Sequence, residues 1–549
     1  MCARLPTLVL LLSILAAACD SGPPTTIEGW AQAVTEASKD KEKAEAAKEL
    51  KRLARDQLAA GKDLSGVVPA LLPLLKEPAP VRSEVAWVLG EIGDKKAVQP
   101  LIDAIDYAAA VSDKDAARAN GKIAEALGKL KDPAAVPALV KLAKSRDAAT
   151  ALAAVQALGK IGDASAVDAL MAIVEDDSKD NFLVKNAIEA LGAIGDPKAL
   201  PLLVKMLFVE RRGVSFYREA SFAIFQIGED STPRLIDILE GKDKEIWDFA
   251  KEKGIYEAAI FAKAAQVLGD LGDRRATKAL VKKLSYESEY ADMRLLPRMF
   301  AAEALGRIRD RRAAKKIAQL LDEEEANARK TYAQALVLMG DRSAVGALAE
   351  SSTKGMGYGA REESQRALAR LGGPKDLAKF DAATKKNLQL KTCMDWFEGD
   401  KEAIKKNCEK AIAKYKKNTV DKFRPMLEAA AECKDDAKCW VAKLDDPNPR
   451  VREKALWELG RLDADEALDA ILQKGVAEKK DLEVRFAALN ALDSLLFGPG
   501  NKGLDKEEAK KASEFLGRLL EEEKGKNYFV RINEDTKRVK LKIDRALRS

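Results

Sequence analysis

One string keeps returning along this chain. It reads WVLGEIGD at Trp87–Asp94, ALGKLKD at Ala126–Asp132 and ALGKIGD at Ala157–Asp163. It recurs as ALGAIGD at Ala190–Asp196, VLGDLGD at Val267–Asp273 and ALGRIRD at Ala304–Asp310. Looser copies stand at Ala223–Glu229, Ala335–Asp341, Ala367–Gly373 and Glu458–Asp463. Self-similarity at such a period means stacked copies of one small helical unit, because a single unit cannot bury its own apolar face. The chain is therefore read as a solenoid, an extended surface and not a shell around one central pocket.

One unit, Gly159 to Gly192, shows the construction. Asp163 precedes a helical stretch and is placed to accept backbone N–H bonds at its start. Ala166, Val167, Leu170, Met171 and Val174 fall at helical spacing and form a buried stripe. A polar turn, Glu175 to Asn181, leads into a second helix with Val184, Ala187, Ile188 and Leu191 inward, and Gly192 is expected to end or tighten it. In the copies at Asp132-Pro133 and Asp196-Pro197, proline takes the first helical position, where its missing N–H costs nothing.

This pattern resembles HEAT repeats, in particular the short HEAT-like repeats of phycobilisome lyases, over roughly Val67 to Gly373 and Asp445 to Leu496. The resemblance implies an all-α fold, a right-handed α-solenoid of about ten HEAT-like helix pairs with a disulfide-bearing helical insert. The organisation that follows is a signal peptide (1–18), a tether (19–29), N-terminal capping helices (30–60), a repeat array (61–373), a cysteine-containing helical insert (374–444) and C-terminal repeats with a capping helix (445–549). The alternation at Val539–Ile543 leaves a strand open as an alternative to a closing helix there.

The N-terminus reads as an address. Arg4 is followed by a mostly apolar run, Leu5 to Leu15, too short to span a bilayer as a mature helix. Ala16, Ala17 and Ala18 then precede Cys19, and small residues before a cleavage point mark a signal peptide. The stretch LAAAC resembles the lipobox of bacterial lipoproteins, which implies lipidation at Cys19; it departs in having Ala16 where the family usually has Leu. An ordinary signal peptide cut after Ala-x-Ala is the alternative. Asp20 resembles the inner-membrane retention signal of enteric lipoproteins at one residue, so inner and outer membrane both stay open. The expected location is the bacterial cell envelope, lipid-anchored and facing the periplasm. Four further cysteines, Cys393, Cys408, Cys433 and Cys439, cluster in one segment, as two disulfides in an oxidising compartment would require. Three pairings are possible, and a four-cysteine zinc site is the competing reading, although the spacings lack the paired knuckles zinc ribbons prefer.

The chain has no histidine. That removes Ser-His-Asp and Cys-His catalysis, His-ligated zinc and HExxH sites. No P-loop and no GxSxG elbow is present, and the carboxylate pairs lie in helix-surface charge patterns. No catalysis, cofactor or metal is expected. A net charge of +6 over 549 residues is small, so no nucleic-acid partner is expected, nor a small-molecule substrate.

Three steps between copies are longer than the rest, with insertions at roughly Tyr107–Asn120, Gly241–Gly254 and Tyr286–Leu296 that should fall on one rim of the array, often its binding side. Aromatics gather nearby, and Tyr217, Trp247, Tyr256, Tyr286 and Tyr290 are the partner-binding candidates, since exposed aromatics anchor interfaces; filling wider gaps in the core is the alternative. Eight residues before the repeat glycine, Arg82, Arg298, Arg329, Arg361, Arg452 and Arg485 recur, where the resemblance implies pairing with a neighbour's capping Asp. The function expected is a protein-binding envelope scaffold. The alternatives are binding of polyanions (cell-wall polymer or nucleic acid) through such arginines and the basic tail, and a bilin-lyase-like positioning of a small ligand.

Overall fold

A computed structural model describes residues 23–109, 112–288, 290–322, 325–355, 357–497, 503–524 and 530–548. The expected signal peptide and the lipidation candidate Cys19 lie outside the described residues. Those residues are helical almost throughout, and among them no helix is long and apolar enough to cross a membrane. The chain is an all-α solenoid of paired helices, divided into two compact units, residues 1–231 and 232–549.

The repeat explains the local structure. In most copies the Asp of the motif starts the next unit: Asp163 accepts from the Ser165 N–H, and Asp132 and Asp196 do the same ahead of Pro133 and Pro197. A tight turn, Ala164–Ala166, runs into the short first helix Val167–Glu175. The longer second helix follows, such as Ala148–Ile161, capped by Asp147 and closed by Gly162 at φ +76°. Glycine adopts that left-handed conformation without the penalty a side chain would bring.

The first glycine of the motif has another role. Gly192 lies inside helix Asn181–Ile194, and Gly195 ends it. An added Cβ on Gly192 would stand 2.6 Å from the Ala223 Cα of the next copy. Gly90, Gly128, Gly159, Gly269, Gly306 and Gly460 meet Ala126, Ala157, Ala190, Ala304, Ala335 and Ala491 in the same way. The Ala and Gly of ALG are thus the two sides of one seam, letting the backbones of successive second helices approach closely. In the copy that ends unit 1, the glycine slot holds the large, fully buried Phe225, and the unit closes at Ser231.

In unit 1, helices Ile27–Glu36 and Asp40–Ala59 cover the first repeat, with Val34 and Leu50 buried and Lys43 and Lys51 paired to Glu77 and Glu84 at 2.5 and 2.7 Å. Helices Ala79–Ile92, Lys114–Leu130, Ala148–Ile161, Asn181–Ile194 and Tyr217–Ile227 then stack in order. A two-rung antiparallel hairpin, Glu210–Arg211 with Val214–Ser215, interrupts the helices; its two-residue strands leave no periodicity to read.

Within unit 2, Glu257–Leu271, Ala291–Ile308, Ala326–Met339 and Tyr358–Leu371 stack in order. The 241–254 insertion is itself a helix, Lys244–Lys253. The insert is helical and carries two disulfides, Cys393–Cys408 and Cys433–Cys439. The tail is a helix, Val530–Arg548, and not a strand; a capping box of Asp505 and Glu508 opens the one before it.

The C-terminal repeats do not extend the array. They return onto it, and the contacts are ionic. Arg309 donates to the Asn490 carbonyl at 2.9 Å and meets Asp493 at 3.3 Å. Arg342 holds Glu458 through both oxygens at 2.7 and 2.9 Å. The buried Lys454 donates to the carbonyls of Arg370 and Gly372, each at 2.7 Å. Arg538 meets Asp270 at 3.0 Å, and Lys542 meets Asp493 at 3.0 Å. A linear hydrophobic pattern carries no sign of these long-range partners.

The recurring arginines also depart from expectation. They serve carbonyls where a first helix ends, not a neighbour's capping Asp. Arg82 reaches Ala104 (3.1 Å), Arg298 Tyr286 (2.8 Å), Arg329 Lys354 (3.0 Å), Arg361 Gly355 (3.0 Å) and Arg452 Asp446 (3.0 Å). Arg485 instead clasps the buried Glu523 at 2.7 and 2.9 Å. Helix ends leave carbonyls without partners, and a guanidinium in this slot supplies several donors at once. Arg329 and Arg361 are buried, so these residues do not present a surface for a polyanion.

Candidate functional site

The fold-back of unit 2 leaves a cavity of about 600 Å³. Glu303 and Arg307, then Lys330 and Gln334, then Arg366 and Arg370 reach it from three successive second helices of the array. Phe423 of the insert, Trp457 and Phe486 of the C-terminal repeats, and Asp535 of the closing helix complete the wall. Helical spacing accounts for the array side: Lys330 and Gln334, and Arg366 and Arg370, stand four apart and share a face.

Its charges are mostly matched. Arg370 donates to Glu453 at 2.6 Å and Glu483 at 2.8 Å. Arg307 meets Asp270 at 3.0 Å and Glu303 at 3.2 Å. Burial by itself would lower both guanidinium pKa values, yet the facing carboxylates hold them above the usual range. Arg370, Arg366 and Arg450 also lie over the Phe423 ring, at 5.0, 5.5 and 5.9 Å from its centroid. Trp457 and Phe486 meet edge to face at 6.4 Å. Lys330 is the lining cation that makes no ion pair among the described residues. No single-residue signal in the sequence pointed here, because the wall joins residues over 200 positions apart.

The aromatic candidates separate into three groups. Tyr256 and Tyr290 are exposed, at 63% and 66%, each just before a second helix. Trp247 and Tyr286 are half-buried. Both meet Phe261 edge to face, at 5.4 and 5.6 Å. Lys283 Nζ sits 3.2 Å over that ring. Burial pushes the Lys283 pKa down and the Tyr286 phenol up. Tyr217, half-buried, belongs to unit 1. Tyr107 and Phe182, also at turns between paired helices, are 42% and 60% exposed. The cysteine candidates are joined as disulfides; Glu432 lies near Cys433 and Cys439, but those sulfurs are bonded to each other.

Segments 108–182 and 438–526 match the family described as HEAT repeats, and segments 81–107, 184–208 and 297–323 match the PBS lyase HEAT-like repeat. HEAT-like repeats are thus recognised in these segments. No curated protein matches it. Among solved structures, importin beta is 13% identical over 92% of this chain and 71% of its own, with a TM-score of 0.39. The phycocyanin lyase complex from Nostoc sp. is 22% identical over 59% of this chain and 98% of its own, with a TM-score of 0.23. Human deoxyhypusine hydroxylase is 21% identical over 50% of this chain and 95% of its own, with a TM-score of 0.21.

Proposed function

We propose that this HEAT-like protein is a scaffold that binds a protein partner, held in the bacterial envelope by a lipid on Cys19. The observation that carries the reading is the pair of exposed tyrosines, Tyr256 and Tyr290, flanking the Trp247–Phe261–Tyr286 cluster of unit 2. A half-buried aromatic platform edged by exposed rings is how protein interfaces place their anchors. The absence of histidine and the paired state of the cavity carboxylates agree with binding in place of catalysis. LAAAC at 15–19, followed by a polar tether, supports the anchor. Crosslinking in intact cells tests the reading: one partner should be recovered with the parent chain and lost with Tyr256→Ala plus Tyr290→Ala. Equal recovery from both rejects this surface.

The cavity supports a second reading, in which unit 2 holds a small ligand. Its volume lies in the range of ligand pockets. Lys330 facing Trp457 and Phe486 across that space suits an anion with an apolar body. Quenching of Trp457 fluorescence by 8-anilinonaphthalene-1-sulfonate, lost with Lys330→Gln, would support it; unchanged quenching would reject it.

A further inference from the structure

The helical insert carries a strong local excess of positive charge that neither reading above uses. Between residues 401 and 417 stand seven lysines against two glutamates, a net of +5 within a chain whose total is +6. They fall on helix Lys401–Tyr415 and the π-helical turn Lys416–Val420 that continues it. The helix turns Cys408 and Tyr415 inward, both fully buried. Lys406, Lys410 and Lys414 recur every four residues on the opposite side, with Lys417 one turn on. Glu402 and Glu409 point between these two faces on helical spacing. All seven lysines are exposed, and none makes an ion pair among the described residues. From a neighbouring element, Glu362 of Tyr358–Leu371 feels the Lys414 charge.

The Cys393–Cys408 disulfide ties the middle of the helix, on its inward side, to the preceding one, so the lysine face is held outward. The loop between the two helices carries Asp395, Glu398 and Asp400, and its Trp396 packs on Tyr358, which stacks on the buried Tyr415, so this loop belongs to the inward side and not to the lysine face. A fixed face of exposed lysines suits the negative surface of anionic headgroups.

We infer that the face of Lys406, Lys410, Lys414 and Lys417 docks the protein on an anionic phospholipid surface. This rests on the envelope location proposed above and adds a second membrane contact remote from Cys19. A single acyl chain binds a bilayer reversibly, and a polybasic patch is a second signal that makes attachment stable.

The test is sedimentation of the full chain with vesicles of phosphatidylcholine alone or with a third of phosphatidylglycerol, in 0.1 M salt. The parent should prefer the anionic vesicles. Changing Lys406, Lys410, Lys414 and Lys417 together to Gln should reduce that preference at least about tenfold. The four-Arg version should retain it. Cys19→Ser should lower attachment to both vesicle types alike and leave their ratio unchanged, which separates failure of the anchor from failure of the patch. A ratio unmoved by the four-Gln variant overturns the proposal. So does double-stranded DNA that competes the protein off anionic vesicles at equal phosphate.

Discussion

Helix propensity and the repeat seam make opposite predictions for one residue type in one helix. Helix Lys114–Leu130 contains Gly121 and Gly128. On propensity alone, glycine to alanine in a helix interior gains about 0.5–1 kcal/mol at either position. At Gly121 nothing lies within 4 Å of an added Cβ, so Gly121→Ala should realise that gain. At Gly128 the Cβ would meet Ala157 Cα at 2.9 Å and its Cβ at 3.0 Å. The nearest neighbour is backbone, so neither side can rotate away, and helix Ala148–Ile161 must move. Overpacking of this kind costs about 1–3 kcal/mol, which outweighs the propensity gain by about 1–2 kcal/mol in the middle of that range. Urea unfolding of the two variants reads the sign, as shifts of the midpoint in opposite directions. Hydrogen exchange reads the place, with faster exchange in Ala148–Ile161 for Gly128→Ala alone. A midpoint for Gly128→Ala as high as that of Gly121→Ala would refute the close-approach argument.

Other consequences are as direct. Burial by itself would raise the Glu458 pKa, but Lys454, Arg342 and Arg461 overcome that and hold it at about 2. Because the folded value is depressed, its contribution is present above the unfolded pKa of about 4.3 and disappears as pH falls toward 2. Glu458→Gln should therefore lose about 3–5 kcal/mol at pH 7, where it leaves Lys454 buried without its carboxylate, and the gap to the parent should narrow between pH 4.5 and 2 in urea titrations. Alkylation of the denatured, unreduced chain should leave Cys393, Cys408, Cys433 and Cys439 unlabelled, and mass mapping should recover the 393–408 and 433–439 pairs. Reduction should lower the unfolding midpoint of unit 2, the 15-residue separation in the first bridge accounting for about 3 kcal/mol. Arg485→Met should cost about 3–5 kcal/mol by stranding the buried Glu523, and Arg485→Met with Glu523→Leu should recover most of it.

Much of the fold was legible because its signals are local. Asp163, Pro197 and Asp505 act within three residues of themselves, so their capping roles follow from neighbours in the chain. The buried stripe Val184, Ala187, Ile188 and Leu191 follows from helical spacing. Gly192 was misread because a helix-ending glycine and a close-approach glycine have the same letter and differ only in what stands opposite. The arginine slot was visible as a pattern, while its carbonyl partners were not. At the candidate sites, exposure at Tyr256 and Tyr290 agreed with their place at turns, whereas Trp247 and Tyr286 turned toward Phe261, a choice set by packing.

The repeated letters alone determined that this chain stacks small helix pairs, where each pair begins and ends, and that histidine chemistry is absent. Those are consequences of period, capping and composition, which act over a few residues or over none. Which cysteines join, which arginine meets which acid, and the return of the C-terminal repeats onto their own array were decided by tertiary structure. Such partners are chosen by the geometry of surfaces that meet only after the helices have formed, and a charge in the sequence does not say what it will face.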